Sequence, residues 1–336
     1  MSFWQNLKKP LFVLAPMADV TDAAYRKLIA ETAMPDVMWT EFVSADGLYH
    51  TRELKKMPDS ENPLMRDLLY SKAEHPIVAQ LFTSKPEMME YAAKLCAELG
   101  FDGVDINMGC PDKSIEKQGS GAAMIRTPEV AKEIYEAACR GAASGSRNLS
   151  NPIPVTIKTR IGYNNESIDE WIPALLELKL PALSVHLRTR KEMSKVPAHW
   201  ELMPKIIELR NKISPNTLII GNGDVMNLDE AKQKIEESGA DGIMLGRAIF
   251  GNPWLFSGRK IEDISMSERL NALATLSHVF EQITPPKSFS IIKKHIKSFV
   301  SGFDGAAELR AQLFEAENAD QVSQIVQSSL KASGLV

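Results

Sequence analysis

The 336-residue sequence has no apolar run approaching the roughly 20 residues that a membrane-spanning helix needs, since stretches such as Leu11 to Pro16 and Ile243 to Leu245 are far shorter. No membrane association is expected. The start, Met1-Ser2-Phe3-Trp4-Gln5-Asn6, lacks the charged onset, long apolar centre and small-residue cleavage site of a secretory leader, so a cytoplasmic location is expected. Cysteine is scarce. Cys96, Cys110 and Cys139 are odd in number and not at metal-ligand spacing, so neither a disulfide framework nor a metal site is expected. An excess of one charge is missing too. With 39 basic against 43 acidic side chains the formal charge is −4, and any nucleic-acid contact must come from local charge.

What is present, up to about residue 250, is a regular alternation of short apolar runs with longer helix-like segments. The runs number eight: Leu11 to Ala15, Val37 to Glu41, Ile77 to Leu81, Gly103 to Asn107, Pro154 to Lys158, Leu183 to His186, Thr217 to Gly221 and Gly242 to Gly246. Between them lie amphipathic patterns such as Pro86 to Leu99, where Met89, Ala92, Ala93, Cys96 and Leu99 share a face. The count fits an α/β chain forming a (β/α)8 TIM barrel. A doubly wound open sheet is the rival, but it usually carries a glycine-rich turn after its first strand, where this chain has Ala15-Pro16-Met17-Ala18. Beyond Phe256 the pattern turns helical over Ser267 to Thr284, Phe289 to Ser301, Ala306 to Glu317 and Asn318 to Leu330, with a hinge expected at Ser257 to Ser265. The expected division is therefore a barrel over 1–256 and a small C-terminal helical bundle over 257–336.

A barrel gathers its active site at the carboxyl ends of its strands, and polar residues close nearly every run here. Gln80 lies in the third, Asn107 ends the fourth, Lys158 and Arg160 lie around the end of the fifth, and His186 ends the sixth. Gly221-Asn222-Gly223-Asp224 and Leu245-Gly246-Arg247 follow the last two strands, where small residues let backbone amides approach a phosphate. Cys110, in Asn107-Met108-Gly109-Cys110-Pro111, is held by a Gly and a Pro in a loop, a placement for reaction rather than packing. The residues leave acid, base and nucleophile open for this thiol. Lys158 would point into the barrel mouth, where a buried ammonium needs an anionic partner such as a reduced flavin or a substrate carboxylate; a Schiff-base role competes.

Taken together, Ala15-Pro16-Met17, Gln80, Asn107-Met108-Gly109-Cys110-Pro111, Lys158-Thr159-Arg160-Ile161-Gly162, His186-x-Arg188-Thr189, Gly221-Asn222-Gly223-Asp224 and Gly246-Arg247 resemble the tRNA-dihydrouridine synthase family. In the tail, Ile292-Lys293-Lys294-His295, Gly302-Phe303-Asp304-Gly305-Ala306 and Glu308-Leu309-Arg310 resemble its helical tRNA-binding domain. The resemblance implies an FMN-dependent reductase that saturates the C5–C6 bond of chosen tRNA uridines, with NADPH or NADH as electron donor and tRNA as partner. It places Pro16, Met17 and Ala18 along the flavin, Gln80, Lys158 and His186 at its ring system, and Asn222, Gly223, Asp224, Gly246 and Arg247 at the ribityl-phosphate end. Cys110 becomes the general acid that protonates C5 while flavin N5 delivers hydride to C6. Asn107, Arg160, Arg188 and Arg190 would meet RNA near the site, and Lys293, Lys294, Lys297 and Arg310 would meet it from the tail. Pro285 to Gln312 carries +3, from five basic and two acidic side chains. Leu187 departs from the family's common His-Gly-Arg-Thr stretch.

Overall fold

The computed structural model describes residues 2–148 and 150–334. Among these, nine strands form one parallel sheet: β1 (Leu11–Leu14), β2 (Met38–Trp39), β3 (Val43–Ser44), β4 (Ile77–Phe82), β5 (Gly103–Met108), β6 (Val155–Arg160), β7 (Ala182–His186), β8 (Leu218–Asn222) and β9 (Gly242–Leu245). Their order is β1-β9-β8-β7-β6-β5-β4-β2, with β3 also on β4. Two bonds close the ring between its ends, Leu14 N–H to Val37 O (3.2 Å) and Asp36 N–H to Phe12 O (3.0 Å). The result is the expected eight-position TIM barrel. Strands covered on both faces read as continuous apolar runs, and every residue of β4 and β5 is buried.

The second barrel position differs from the expected run Val37 to Glu41, because it is split into β2 and β3. Thr40 causes the break. Its backbone N–H bonds Val78 O (3.0 Å), while its Oγ1 takes the Gln80 N–H (3.1 Å) that a strand carbonyl would otherwise accept. Glu41 and Phe42 are thereby freed from the ladder and lie in the gap between β2 and β3.

Alternation sorts the core. Leu11, Val13 and Ala15 join Val78, Ile220 and Met244 in one cluster that Trp4 enters beside Trp39 (centroids 5.9 Å apart). Leu14, Ile106 and Ile157 belong instead to the larger cluster shared with the surrounding helices. Leu187 is fully buried in that larger cluster, so the residue that departs from the family pattern packs away from the cavity described below.

The tail forms helices Met266–Glu281, Lys293–Phe299, Ala306–Glu315 and Ala319–Ala332. The helix expected over Phe289 to Ser301 is instead a 3-10 turn, Phe289–Ile291, followed by the shorter Lys293–Phe299. These helices are continuous with the barrel's outer core. Tyr25, from the helix Ala23–Thr32, packs on His295 (4.5 Å) and Phe299 (6.2 Å). Charge crosses the same seam. Lys287 Nζ lies 2.7 Å from Glu41 and 3.2 Å from Asp67, Lys294 lies 2.9 Å from Asp19, and the second Glu41 oxygen accepts the Asp19 N–H at 2.6 Å.

Candidate active site

At the carboxyl ends of the strands lies a cavity of about 280 Å³. Pro16, Met17, Gln80, Asn107, Cys110 and Lys158 line it from one part of the ring; His186, Asn222, Gly223, Asp224, Gly246 and Arg247 line it from the other. Arg160 and Arg188 also reach it. Ala18 does not, and faces a separate polar cavity between barrel and tail. The tail residues Lys293, Lys294, Lys297 and Arg310 stand apart from it, as does Arg190. Ala15 and Met244 form apolar wall that the sequence reading missed, although inward alternation along β9 would have found Met244.

Cys110 is held through its backbone. Asn107 Oδ1 accepts both the Gly109 N–H (3.1 Å) and the Cys110 N–H (2.9 Å), and Cys110 O accepts the Ala122 N–H (2.9 Å). Arg160 adds a bond from Nε to Gly109 O (2.7 Å) and reaches Thr189 O and Met193 O with Nη1. Gly121 permits this arrangement. At φ +62°, a Cβ there would lie 2.7 Å from Cys110 O and 2.9 Å from Ile115 Cγ2. Burial pushes the Cys110 thiol above the usual cysteine range, and its hydrogen bond from the Asp112 N–H offsets this only in part. The thiol is therefore protonated at neutral pH.

Opposite charges organise the other end. Asp224 accepts from Arg188 Nη2, Arg247 Nη2 and the Ala198 N–H (2.8 Å). Burial alone would raise its carboxyl, but these partners hold it below the usual range. Arg188 also donates to Val196 O (2.7 Å) and to His186 Nε2 (3.1 Å). His186 is neutral because burial, then Arg160, Lys158, Arg188 and Arg247, all disfavour its protonation. Lys158 Nζ donates to Asn222 Oδ1 (3.3 Å), and Asn222 Nδ2 donates to Met244 O (2.8 Å). Burial first, and Arg160 next, lower the Lys158 ammonium to about 8. Arg190 is occupied by a two-pronged pair with Glu116 and stacks near Tyr163. Arg310 donates to Val300 O (2.9 Å).

A family model described as dihydrouridine synthase matches residues 13–333. The chain belongs to the dihydrouridine synthase family. It is 38% identical over 324 residues to the probable tRNA-dihydrouridine synthase 2 of Bacillus subtilis (strain 168), covering 96% of this chain and 94% of that one. It is 39% identical over 322 residues to the probable tRNA-dihydrouridine synthase of Staphylococcus aureus (strain Mu50), covering 94% and 92%. Among solved structures, 2-naphthoyl-CoA reductase with 2-naphthoyl-CoA aligns at a TM-score of 0.52, with 10% identity over 75% of this chain and 51% of that one. The 6-hydroxypseudooxynicotine amine oxidase of Pseudomonas geniculata N1 aligns at 0.51, with 12% identity over 88% and 55%. At such identities these two speak for the barrel fold alone.

As a dihydrouridine synthase the chain is a flavin-dependent oxidoreductase, and the cavity fits that cofactor. Lys158, Arg188 and Arg247 surround space with more positive than negative charge, which suits a phosphate and an electron-rich ring edge. Gly246 provides a cradle, because a Cβ there would meet nothing closer than Ala15 Cβ at 3.6 Å and Met17 Sδ at 3.7 Å. Ala15, Pro16, Met17 and Met244 supply the apolar surface for a flat ring.

Proposed function

We propose that this dihydrouridine synthase reduces the C5–C6 double bond of chosen uridines in tRNA, using FMN with NADPH or NADH as electron donor. Residues 1–256 are the catalytic unit, 257–336 the RNA-binding unit, and the cytoplasm the site of action. The observation that carries the reading is Cys110, a protonated thiol lining the cavity on a loop fixed from both sides. When bound, FMN supplies a hydride to C6 of the uracil. Cys110 Sγ gives its proton to C5 and so quenches the enolate-like charge that hydride addition creates.

The remaining residues bind and orient. Pro16 and Met17 line the flavin's flank, while Ala18 carries the chain on into the neighbouring polar cavity; Gln80, Lys158 and His186 meet the flavin's polar edge, and Asn222 holds Lys158 in place. Gly223, Gly246 and Arg247 take the phosphate, with Asp224 fixing the Arg188 and Arg247 guanidinium groups. Asn107 and Arg160 face the uracil while they hold the Cys110 loop. Arg188, Arg190 and Arg310 direct donors inward to protein acceptors, and Lys294 shares its charge with Asp19. Phosphate contact from the tail therefore rests chiefly on Lys293 and Lys297. Those contacts offset the few kcal/mol needed to unstack the target base.

The test is anaerobic. Protein reduced by NADPH is mixed with unmodified tRNA while flavin absorbance and dihydrouridine are followed. Reoxidation with dihydrouridine formation, and none with orotate, is the expected outcome; flavin that stays reduced with tRNA overturns the reading. Cys110→Ala keeps its flavin and its reduction by NADPH but loses about 10²–10⁴-fold in the tRNA step.

A further inference from the structure

Beneath the cavity floor, and not part of its lining, lies one buried carboxylate, Asp105 of β5. Its Oδ1 accepts from Thr156 Oγ1 (2.6 Å) and its Oδ2 from Gln80 Nε2 (2.7 Å). The other end of the Gln80 amide, Oε1, accepts from Asn107 Nδ2 (3.2 Å). Asn107 Oδ1 then takes the Gly109 and Cys110 N–H groups. Asp105, Gln80, Asn107 and the Cys110 peptide thus form one unbroken chain of hydrogen bonds, all running in the same sense. The register places its parts, since Gln80 pairs with Asp105 across β4 and β5, and Asn107 follows Asp105 by two residues on the same face.

Each amide in this chain has one donor end and one acceptor end. An ionised carboxylate accepts only, and a peptide N–H donates only. With an acceptor at one end and donors at the other, a single orientation of both amides satisfies every group. Turning either one sets oxygen against oxygen or N–H against N–H. We infer that Asp105 is a positioning residue for proton transfer: by fixing the amide orientations of Gln80 and Asn107 it holds the Cys110 loop in register with the uracil. This inference rests on the reading of Cys110 as the acid. The carboxylate touches neither the reacting atoms nor the space they occupy, so its effect passes through Gln80 and Asn107.

The replacement that separates orientation from bulk is Asp105→Leu, similar in size but without an acceptor, set against Asp105→Asn, which keeps an oxygen for Gln80 Nε2 and turns its own NH₂ toward Thr156 Oγ1. Both half-reactions are measured by stopped flow. In Asp105→Leu the reduction of flavin by NADPH falls only a few-fold, since Gln80 at the flavin's edge loses one of its two partners, while the single-turnover rate with saturating tRNA falls on the order of 100-fold, as expected for a displaced catalytic group. Asp105→Asn restores that rate to within about 5-fold, a loss equivalent to about 1 kcal/mol. Should Asp105→Leu give no soluble flavoprotein, Asp105→Ala carries the same comparison. An unchanged tRNA step in the acceptor-free variant overturns the inference. So does equal loss in both half-reactions, or an Asp105→Asn enzyme as slow as Asp105→Leu. Wild-type protein runs beside them: if it makes no dihydrouridine, the proposed function fails, whereas an active wild type with an equally active Asp105→Leu fails only the positioning role.

Discussion

Replacing Gly121 by Ala perturbs the Cys110 loop from the outside without touching the thiol. The new Cβ would lie 2.7 Å from Cys110 O, where ordinary contact begins at 3.4 Å, so the two must part by about 0.7 Å. The left-handed backbone at φ +62° adds about 1–2 kcal/mol of strain for a non-glycine residue. Gly258 provides the control. It is also left-handed, at φ +84°, but a Cβ there meets nothing within 4 Å. Gly258→Ala therefore carries the strain without the collision. Both variants should lose about 1–2 kcal/mol in urea unfolding, with a further loss for Gly121→Ala. Only Gly121→Ala should slow uridine reduction, by about 10²-fold for a displacement approaching 1 Å. Its reduction by NADPH should remain near wild type. The assay is anaerobic single turnover with excess tRNA, read as flavin reoxidation. Equal tRNA-step rates in the two variants would refute the claim that a tightly placed Cys110 loop limits proton transfer.

Three further outcomes follow from the seam and the tail. Lys287→Met leaves the buried Glu41 carboxylate without its cation, and since their side chains are only 6% and 8% exposed the expected cost is about 3–5 kcal/mol by urea unfolding; adding Glu41→Gln should recover much of it. For His295, burial first and Lys294 next lower the folded pKa to about 4 against an ordinary value of 6.5, so the unfolded chain takes up more protons between those values. Stability should fall as pH drops from about 6.5 to 4, and His295→Leu should remove that component. Asp22, raised to about 6 mainly by burial, acts with the opposite sign in an overlapping range, so the informative quantity is the difference between wild type and variant. Lys297→Ala should reduce the slope of log tRNA affinity against log salt by nearly one, whereas Lys294→Ala, whose charge Asp19 already meets, should change it less. Equal slopes for the two variants would count against that distinction.

The barrel was readable because parallel strands buried on both faces appear as apolar runs with polar residues at their carboxyl ends. Gln80, Asn107, Lys158, His186 and Asn222 could be picked out in this way and do line one cavity. The break after Trp39 was not readable, since it depends on a Thr40 hydroxyl meeting an N–H forty residues later. Partnerships of charge were equally hidden. Arg160, Arg188 and Arg190 look alike in sequence, yet their partners lie at Gly109, Asp224 and Glu116, positions that only the closed ring brings near. Asp105 went unremarked because it sits inside an apolar run, where nothing local reveals that it anchors two amides. The stretch Gly119-Ser120-Gly121-Ala122-Ala123 shows in the sequence only as a run of small residues, and the reason for Gly121 is the approach of Cys110 from an earlier loop.

The ion pairs between tail and barrel have a mechanical consequence. Lys287 binds Glu41, Glu41 binds the Asp19 peptide, and Lys294 binds Asp19, while Phe42 beside Glu41 and Met17 near Asp19 both face the catalytic cavity. Tail and reaction chamber are clamped to the same few residues. On the proposed function the tail and the cavity act as a gauge, with a set span between the lysines that would grip the RNA backbone and the floor on which the base would land. A substrate would then be selected by whether it can bend to that span, with the work of deformation falling on the RNA.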